Sequence, residues 1–287
     1  MPLCFFVSDL HGDIGRYGKL FKAVSRERPE AVFLGGDILP SFWKGAGFPE
    51  AWPPDFINGF LVKSLNALRL ELGGSYPRFF VIMGNDDQRL NEAAVLDAAV
   101  RGVWEYIHSR RVIFKDYLVF GYAFIPPTPF RLKDWERYDV SRYTDPGAVS
   151  PEEGYYSVPV AEREKKQATI QDDLDRLAEH ADLAKAIFLF HSPPYQTRLD
   201  ASALEGKMID HVPLDRHLGS IAIRRFIERR QPLLTLHGHV HEAAKVSLSW
   251  RDCLGRTHCF SAAHDGPELA LVRFDPERLD EAERRLL

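Results

Sequence analysis

Short apolar runs alternate with longer amphipathic segments along the chain. Runs rich in Val, Ile, Leu and Phe predict strands at residues 3–8, 31–34, 79–83, 112–114, 118–121, 186–190 and 233–236. Later runs predict a C-terminal meander at 244–250, 257–262 and 269–274. Helical periodicity is clearest at 55–72, 160–180 and 219–230. This alternation predicts an α/β fold in which helices cover the faces of a sheet.

The stretch 125–157 has no clean periodicity and is dense in proline, aromatic and charged residues. Long loops of this kind often serve as lids or covers over a site. A disordered linker is the alternative, but disordered segments are poor in aromatic residues, and this one contains Phe130, Trp135, Tyr138, Tyr143, Tyr155 and Tyr156. We therefore predict a single domain over 1–287 with an elaborated insertion at about 122–158.

Composition narrows the range of partners. The chain has 287 residues, 45% of them hydrophobic, and a formal net charge of -4. Proteins that bind nucleic acids through phosphates normally carry a basic excess, so no nucleic-acid partner is indicated. The predicted helix at 219–230 carries four arginines, Arg224, Arg225, Arg229 and Arg230. We interpret them as its solvent-exposed face, and phosphate binding is the alternative interpretation.

The N-terminal sequence and the cysteines bear on location. The stretch MPLCFFVSDLHGD lacks a basic leader, and its apolar run is too short for a signal sequence or a membrane span. The chain has three cysteines, Cys4, Cys253 and Cys259, and no two of them have CxxC spacing. An odd number without this spacing is typical of reduced thiols. We therefore expect a cytoplasmic protein without membrane association. The oligomeric state is not predicted.

Polar clusters follow the predicted strands at the point where each strand ends. They are Asp9 and His11 in SDLHGD, Asp37 in GGD, Asn85, Asp86 and Asp87 in GNDD, His191 in HSPP, and His239 and His241 in GHVH. Ligands of α/β sheets bind at the carboxyl ends of the strands, so these five distant segments are expected to converge on one crevice.

The residue types at these positions suggest a metal site. Carboxylate and amide oxygens with imidazole nitrogens are the donors that bind borderline divalent ions such as Mn, Fe, Zn or Co. Seven candidate donors exceed the need of one four-coordinate ion, which makes two ions with a bridging carboxylate plausible. Each motif alone is weak, since DxH can cap a turn, GD and GN are common in turns, and a lone His191 could be a core residue. Their order and their shared strand-end placement carry the hypothesis.

The ordered pattern resembles the calcineurin-like metallophosphoesterases, whose motifs run D-x-H, G-D, G-N-H-[DE], H and G-H-x-H. Here the motifs read DLH (9–11), GD (36–37), GNDD (84–87), His191 and GHVH (238–241). The HSPPY and QPLLTLHGHVHE segments further resemble bacterial and archaeal predicted phosphoesterases related to class III cyclic-nucleotide phosphodiesterases. The resemblance implies a four-layer α/β/β/α sandwich of two mixed β-sheets flanked by helices.

The resemblance also implies a dinuclear centre and its ligands. Asp9, His11, Asp37 and His241 would hold one metal, and Asp37, Asn85, His191 and His239 would hold the other, with Asp37 as the bridge. Two divalent cations, with manganese favoured, would activate a hydroxide that attacks the phosphorus of a small-molecule phosphoester. His237 matches no ligand position and is interpreted as an outer or merely polar residue.

One position departs from the family pattern. The family has a proton-donating histidine after the asparagine, followed by an orienting acid, whereas this chain has Asp86 followed by Asp87. A carboxyl beside two cations should be ionised and unable to donate a proton, and it would repel an anionic substrate. We therefore expect a preference for phosphodiesters, or for substrates with a good leaving group.

Other residues are weaker candidates. His264 in SAAHDG could supply the missing proton, and a surface turn residue is the alternative interpretation. Arg198, shortly after HSPP, could contact the substrate phosphate. A non-catalytic binding or scaffold module on the same fold is the competing function, because fold alone does not decide function. Retention of all seven candidate ligands favours the enzyme.

Overall fold

A computed structural model describes residues 2–41, 55–209 and 211–287. Its strands, in chain order, are β1 (Cys4–Val7), β2 (Ala31–Gly35), β3 (Arg78–Ile82), β4 (Glu105–Tyr106), β5 (Arg110–Phe114), β6 (Tyr117–Tyr122), β7 (Ala186–Phe190), β8 (Met208–Ile209), β9 (Val212–Pro213), β10 (Leu234–His237), β11 (Arg251–Leu254), β12 (Thr257–Ser261), β13 (Ala270–Phe274) and β14 (Glu283–Leu286). The α-helices are α1 (Ile14–Glu27), α2 (Lys63–Leu72), α3 (Glu92–Val100), α4 (Glu162–Gln167), α5 (Ile170–Leu177), α6 (Ile221–Arg230) and α7 (Ala243–Val246). Shorter helical turns are a π-helical turn at Ile57–Val62 and 3₁₀ turns at Gly73–Ser75, Arg89–Asn91 and Leu279–Glu281.

Two six-stranded mixed sheets form the centre of the structure. The first has the order β14-β13-β1-β2-β3-β4, and the second has the order β11-β12-β10-β7-β6-β5. Strands β1, β2, β3 and β4 are parallel, as are β6, β7, β10 and β12. Every residue of β1, β2, β7 and β10 is buried, as expected for parallel strands covered on both faces. The predicted α/β class, with two mixed sheets flanked by helices, is confirmed.

The register brings the carboxyl ends of the central strands to one edge. In the first sheet Val7 pairs with Leu34, and Leu34 pairs with Val81. In the second sheet Leu236 pairs with Leu189, and Tyr122 pairs with Phe190. The polar segments that follow these strands therefore start side by side.

Helix ends explain why the chain turns where it does. Asp13 caps α1 by accepting a hydrogen bond from the backbone N–H of Arg16, and Ser220 caps α6 through that of Ile223. On α6, Phe226 packs edge-to-face on Phe188 of β7, with ring centroids 5.1 Å apart. Among the described residues, none of the helices has the length and apolar character that crossing a bilayer requires.

Two predicted elements differ from the structure. The predicted strand at 244–250 is wrong, because this stretch holds the short helix α7 and the strand that pairs with β12 begins only at Arg251. The predicted C-terminal meander is also interrupted after β12. The next strand, β13, belongs to the first sheet, where it pairs antiparallel with β1.

The predicted helix at 160–180 is broken into α4 and α5. Thr169 between them is extended, with φ -125° and ψ 151°, and its side chain accepts a hydrogen bond from the N–H of Asp172. A hydroxyl that caps the following turn competes with continued helix, which explains the break. Helices α1 and α3 had not been predicted, although Asp13 and the buried spacing of Tyr17, Leu20 and Val24 mark α1.

Candidate metal centre

The backbone of the strand-end segments adopts a conformation that L-residues rarely use. Asp9, His11, Asp37 and His239 all have positive φ, at 56°, 45°, 50° and 73°. A non-glycine residue in this region costs roughly 1–2 kcal/mol. Four such residues converging from three segments indicate a functional site, because strain of this kind persists only where surrounding structure enforces it.

Four side chains form the first ligand group. Asp9, His11, Asp37 and His241 each offer one ligand atom, and these atoms all lie within 4.8 Å of one another. The Nε2 atoms of His11 and His241 are 3.2 Å apart, and His241 Nε2 is 3.2 Å from Asp9 Oδ1. Metal bonds of about 2.1 Å space neighbouring ligand atoms about 3.0–3.4 Å apart. Two oxygens and two nitrogens at this spacing fit a borderline divalent cation.

Asp37 also faces a second group of donors. His191 Nε2 is 3.4 Å from Asp37 Oδ2 and 3.1 Å from Asn85 Oδ1. The other nitrogen of this ring, Nδ1, donates to the carbonyl oxygen of Gly35 at 2.8 Å, which orients Nε2 toward Asp37 and Asn85. The ring of His239 lies beside that of His191, with centroids 5.3 Å apart, and its backbone N–H donates to the Asp9 carboxylate.

The histidines of the cluster offset the negative charge of its buried carboxylates. Burial raises the pKa of the Asp9 carboxyl, but the hydrogen bond and charge of His241 outweigh it, so the pKa is lowered overall. The pKa of Asp37 is also lowered, because His191 outweighs the effect of burial. The same pairing overcomes burial at His191 and raises its pKa to about 10. Two buried, ionised carboxylates are costly unless opposite charge compensates them.

Asp86 lies at the edge of this cluster. Its Oδ2 accepts a hydrogen bond from Ser41 Oγ at 3.1 Å and is 3.6 Å from His11 Nδ1. Its backbone N–H donates to Asp37 Oδ1 at 2.8 Å. Without a cation, burial and the charge of Asp37 raise the pKa of Asp86 to about 7. The ionisation predicted for this carboxyl therefore depends on bound cations.

Asp87 stands where the family pattern has its orienting acid, and its carboxylate binds backbone N–H groups of two loops. The side chain is fully buried, and its Oδ1 accepts from the N–H of Leu39, while its Oδ2 accepts from those of Ile38 and Gly84. Both oxygens thus accept hydrogen bonds from backbone N–H groups. Asp87 instead ties the loop after β2 to the loop after β3.

The outlying candidates have different surroundings. His237 is completely buried between the carbonyl oxygen of Ser192 and Thr235 Oγ1, and burial lowers its pKa to about 4. The ring is therefore neutral, and both of its nitrogens are bound to neighbouring oxygens. Arg198 is exposed, and within the described residues no contact joins it to the ligand groups; its backbone N–H donates to Asp252.

His264 is linked to the cluster through Arg16. Its Nε2 lies 2.9 Å from Glu268 Oε2. Arg16 donates to the backbone oxygens of both Asp9 and Gly266, and so connects the loop of His264 to the first ligand segment. Arg16 and Ser41 were not identified from the sequence. The only local signal for Arg16 is its place in the first turn of α1.

The insertion is folded, and its aromatic residues differ in exposure, Tyr156 being half-buried. Trp135 and Tyr138 are buried, whereas Phe130, Tyr143 and Tyr155 are 47%, 68% and 50% exposed. Of the α6 arginines, Arg225 and Arg229 are exposed, as a solvated face predicts. Arg224 and Arg230 are half-buried instead, and each donates to two backbone carbonyl oxygens.

Together, the two mixed sheets and the strand-end donors define an α/β protein with a cluster of side chains that could hold a metal ion at the carboxyl edge of its sheets. The family model for calcineurin-like phosphoesterases matches residues 4–243. The chain belongs to the calcineurin-like phosphoesterase family.

Solved structures share the fold at low identity. The protein TT1561 of Thermus thermophilus is 18% identical with a TM-score of 0.53, and the match covers 99% of this chain and 98% of that one. A dimetal phosphatase from Danio rerio, LOC 393393, is 12% identical with a TM-score of 0.51, covering 95% and 91% of the two chains. The search of curated proteins finds no significant match.

Proposed function

We propose that the protein is a dinuclear metal-dependent phosphoesterase that hydrolyses phosphodiesters of small molecules or nucleotides. The observation that carries the proposal is the position of Asp37 between two donor groups. Its Oδ2 lies 3.9 Å from His11 Nε2 on one side and 3.4 Å from His191 Nε2 on the other. The dimetal phosphatase among the structural neighbours is in line with this assignment.

The proposed second site comprises Asp37, Asn85, His191 and His239. Two divalent cations, manganese being favoured, would supply Lewis acidity toward phosphoryl oxygens and make a bound water acidic near neutral pH. The chain's own residues set the geometry for this chemistry. Gly35 orients the ring of His191, and the N–H of His239 fixes the carboxylate of Asp9.

The preference for diesters rests on Asp86. Beside two cations its pKa falls, so the carboxyl carries a negative charge and donates no proton. A phosphomonoester dianion is repelled by this charge more than a phosphodiester monoanion. Ser41 donates a hydrogen bond to the same carboxylate and holds it at the edge of the cluster.

Protonation of the leaving group is assigned to His264. Arg16 holds the loop of this histidine against the segment of Asp9, and the carboxylate of Glu268 contacts its ring and orients it. This role is part of the proposal, and Arg198 remains a candidate substrate contact on the loop that follows His191.

The proposal is tested by metal analysis and a paired assay. Protein purified without chelator is expected to contain close to two divalent ions per chain. With added Mn²⁺ it should hydrolyse bis-p-nitrophenyl phosphate with a higher kcat/KM than p-nitrophenyl phosphate. A clear preference for the monoester contradicts the role given to Asp86. Metal-free protein that is inactive on both substrates with every ion tried supports the scaffold alternative.

A further inference from the structure

The insertion contacts the ligand loop after β3 through a buried tryptophan. Trp135 is fully buried, and its Nε1–H donates to the backbone oxygen of Asp87 at 2.7 Å. This bond spans 48 positions in the sequence and ends two residues from Asn85. The indole of Trp135 is therefore a long-range partner of the loop that carries a proposed ligand.

A second set of bonds joins the insertion to the same loop. Asp134 Oδ2 accepts from the backbone N–H of Arg89 at 2.8 Å, and its Oδ1 accepts from that of Ser157 at 2.8 Å. Ser157 Oγ accepts from the N–H of Leu90 at 2.9 Å. Three points of the loop, at 87, 89 and 90, are thus held by residues of the insertion.

Trp135 itself is firmly placed. Its ring packs edge-to-face on His108, with centroids 5.0 Å apart, and contacts Phe124 at 5.6 Å. The guanidinium of Arg89 lies 5.6 Å from its centroid on the loop side. The carbonyl oxygen of Trp135 accepts from the N–H of Ile125 at 2.9 Å. A side chain fixed on these sides has little freedom to follow movements of the loop.

The restraint passes through Asp87 to both proposed ligand loops. The backbone oxygen of Asp87 is bound by Trp135, and its carboxylate binds the N–H groups of Gly84, Ile38 and Leu39. Gly84 precedes Asn85, and Ile38 follows Asp37. The insertion is therefore connected to the side of the cluster that holds Asn85.

We propose that Trp135 is a positioning residue for the second cation. It holds the backbone at Asp87 so that the amide oxygen of Asn85 stays 3.1 Å from His191 Nε2, the spacing of two ligands to one ion. The proposal rests on the dinuclear function proposed above. It gives the insertion a role in metal binding that is separate from any role as a cover over the substrate.

The chain offers a matched control for the test. Trp104 is also buried, at 4% exposure, and its Nε1–H donates to the backbone oxygen of Val95 at 3.0 Å. Val95 lies in α3, which contains none of the proposed ligands. Trp135→Phe and Trp104→Phe each remove one indole N–H from one buried backbone oxygen, so their effects on folding should be similar.

Binding of Mn²⁺ to chelator-treated full-length protein is measured by titration calorimetry, and the coupled two-ion signal by electron paramagnetic resonance. Trp135→Phe is expected to weaken the second ion roughly tenfold, the lower end of the loss seen when an outer partner of a ligand is removed. The first ion should bind as in the unmodified protein, and Trp104→Phe should leave both ions unchanged. Asp134→Asn, which keeps the shape of the side chain, should weaken the same ion by a smaller factor.

Thermal melts in EDTA check that both tryptophan variants are folded. Equal affinities for both ions in Trp135→Phe and the unmodified protein, or an equal loss in the two tryptophan variants, overturns the positioning role. If Trp135→Phe does not fold, Asp134→Asn decides the question by the same comparison. If the unmodified protein binds no second ion, the dinuclear assignment itself is wrong. Titration of the unmodified protein alone gives this result, so it is distinguished from any effect of the variants.

Discussion

Replacement of Asp37 by Asn is the sharpest test of the shared ligand. Asn keeps the size of the side chain and tolerates the left-handed backbone that Asp37 adopts at φ 50°. Its amide can keep accepting from the N–H of Asp86, the bond that Asp37 Oδ1 now makes at 2.8 Å. What the substitution removes is the negative charge of the carboxylate whose Oδ2 lies 3.9 Å from His11 Nε2 and 3.4 Å from His191 Nε2.

The magnitude follows from linkage between metal binding and unfolding. An ion present at about 100 times its Kd stabilises the folded state by about 2.7 kcal/mol, so two ions contribute about 5 kcal/mol. For a chain of this size, 1 kcal/mol corresponds to a change in Tm of about 2 °C. The unmodified protein should therefore melt about 10 °C higher in saturating Mn²⁺ than in EDTA. Asp37→Asn replaces the charged bridging carboxylate by a neutral amide, and its metal-dependent rise should be less than about 3 °C at the same concentration.

The assay is differential scanning fluorimetry of both proteins in EDTA and in a Mn²⁺ series. In EDTA the two Tm values should be similar, because the variant loses both the attraction of Asp37 to His191 and its repulsion of Asp86. Asp200→Asn is the control, since Asp200 is a fully buried carboxyl that binds His217 outside the cluster. It should keep the full metal-dependent rise. A full rise in Asp37→Asn as well would refute the shared-ligand model.

Three further outcomes are expected. Asp86→Asn should raise kcat/KM for p-nitrophenyl phosphate roughly tenfold relative to the bis ester, the effect of about 1.4 kcal/mol of removed charge repulsion; an unchanged ratio means that Asp86 does not select against dianions. His264→Ala should lower kcat on an alkyl phosphodiester about a hundredfold while hydrolysis of the bis-p-nitrophenyl ester changes little, because nitrophenolate leaves without a proton. If the variant hydrolyses both substrates as fast as the unmodified protein does, His264 has no part in the mechanism. Burial, aided by Arg137, lowers the pKa of His108 to about 3, and its Nδ1 accepts from the N–H of Ala123. The folded state thus keeps this ring neutral while the unfolded chain takes up a proton below its ordinary 6.5, so its stabilising contribution is full above that pH and is lost as the pH falls toward 3. Urea unfolding should show the unmodified protein losing about 1 kcal/mol more than His108→Asn between pH 6 and pH 5; parallel curves would show that the ring is protonated in the folded state.

The fold class and part of the candidate site could be predicted because they depend on local sequence patterns. A buried parallel strand reads as a short apolar run, and the polar residue directly after it must lie at the carboxyl edge of the sheet. Asp9, Asp37 and His191 could be placed in this way. The same reasoning failed at 244–250, where no periodicity distinguishes a one-turn helix from a strand.

Similar residues in neighbouring positions proved harder to separate. Asp86 and Asp87 are adjacent carboxylates, yet one faces the cluster and the other binds three backbone N–H groups. His237 and His239 are two positions apart, yet the first is packed under Ser192 and Thr235. Most of the partners that separate them lie far away in the sequence, so composition and spacing do not identify them.

The donor chemistry and its placement at the ends of apolar strands could be predicted, because both follow from residue type and local hydrophobic pattern. Which donors meet depends on the folding of distant segments. Joining His191 to Gly35 across 156 positions requires the two sheets to pack in one register, and placing Trp135 on Asp87 requires the insertion to fold back on the loop after β3. Such contacts depend on long-range packing, which no short stretch of the chain specifies.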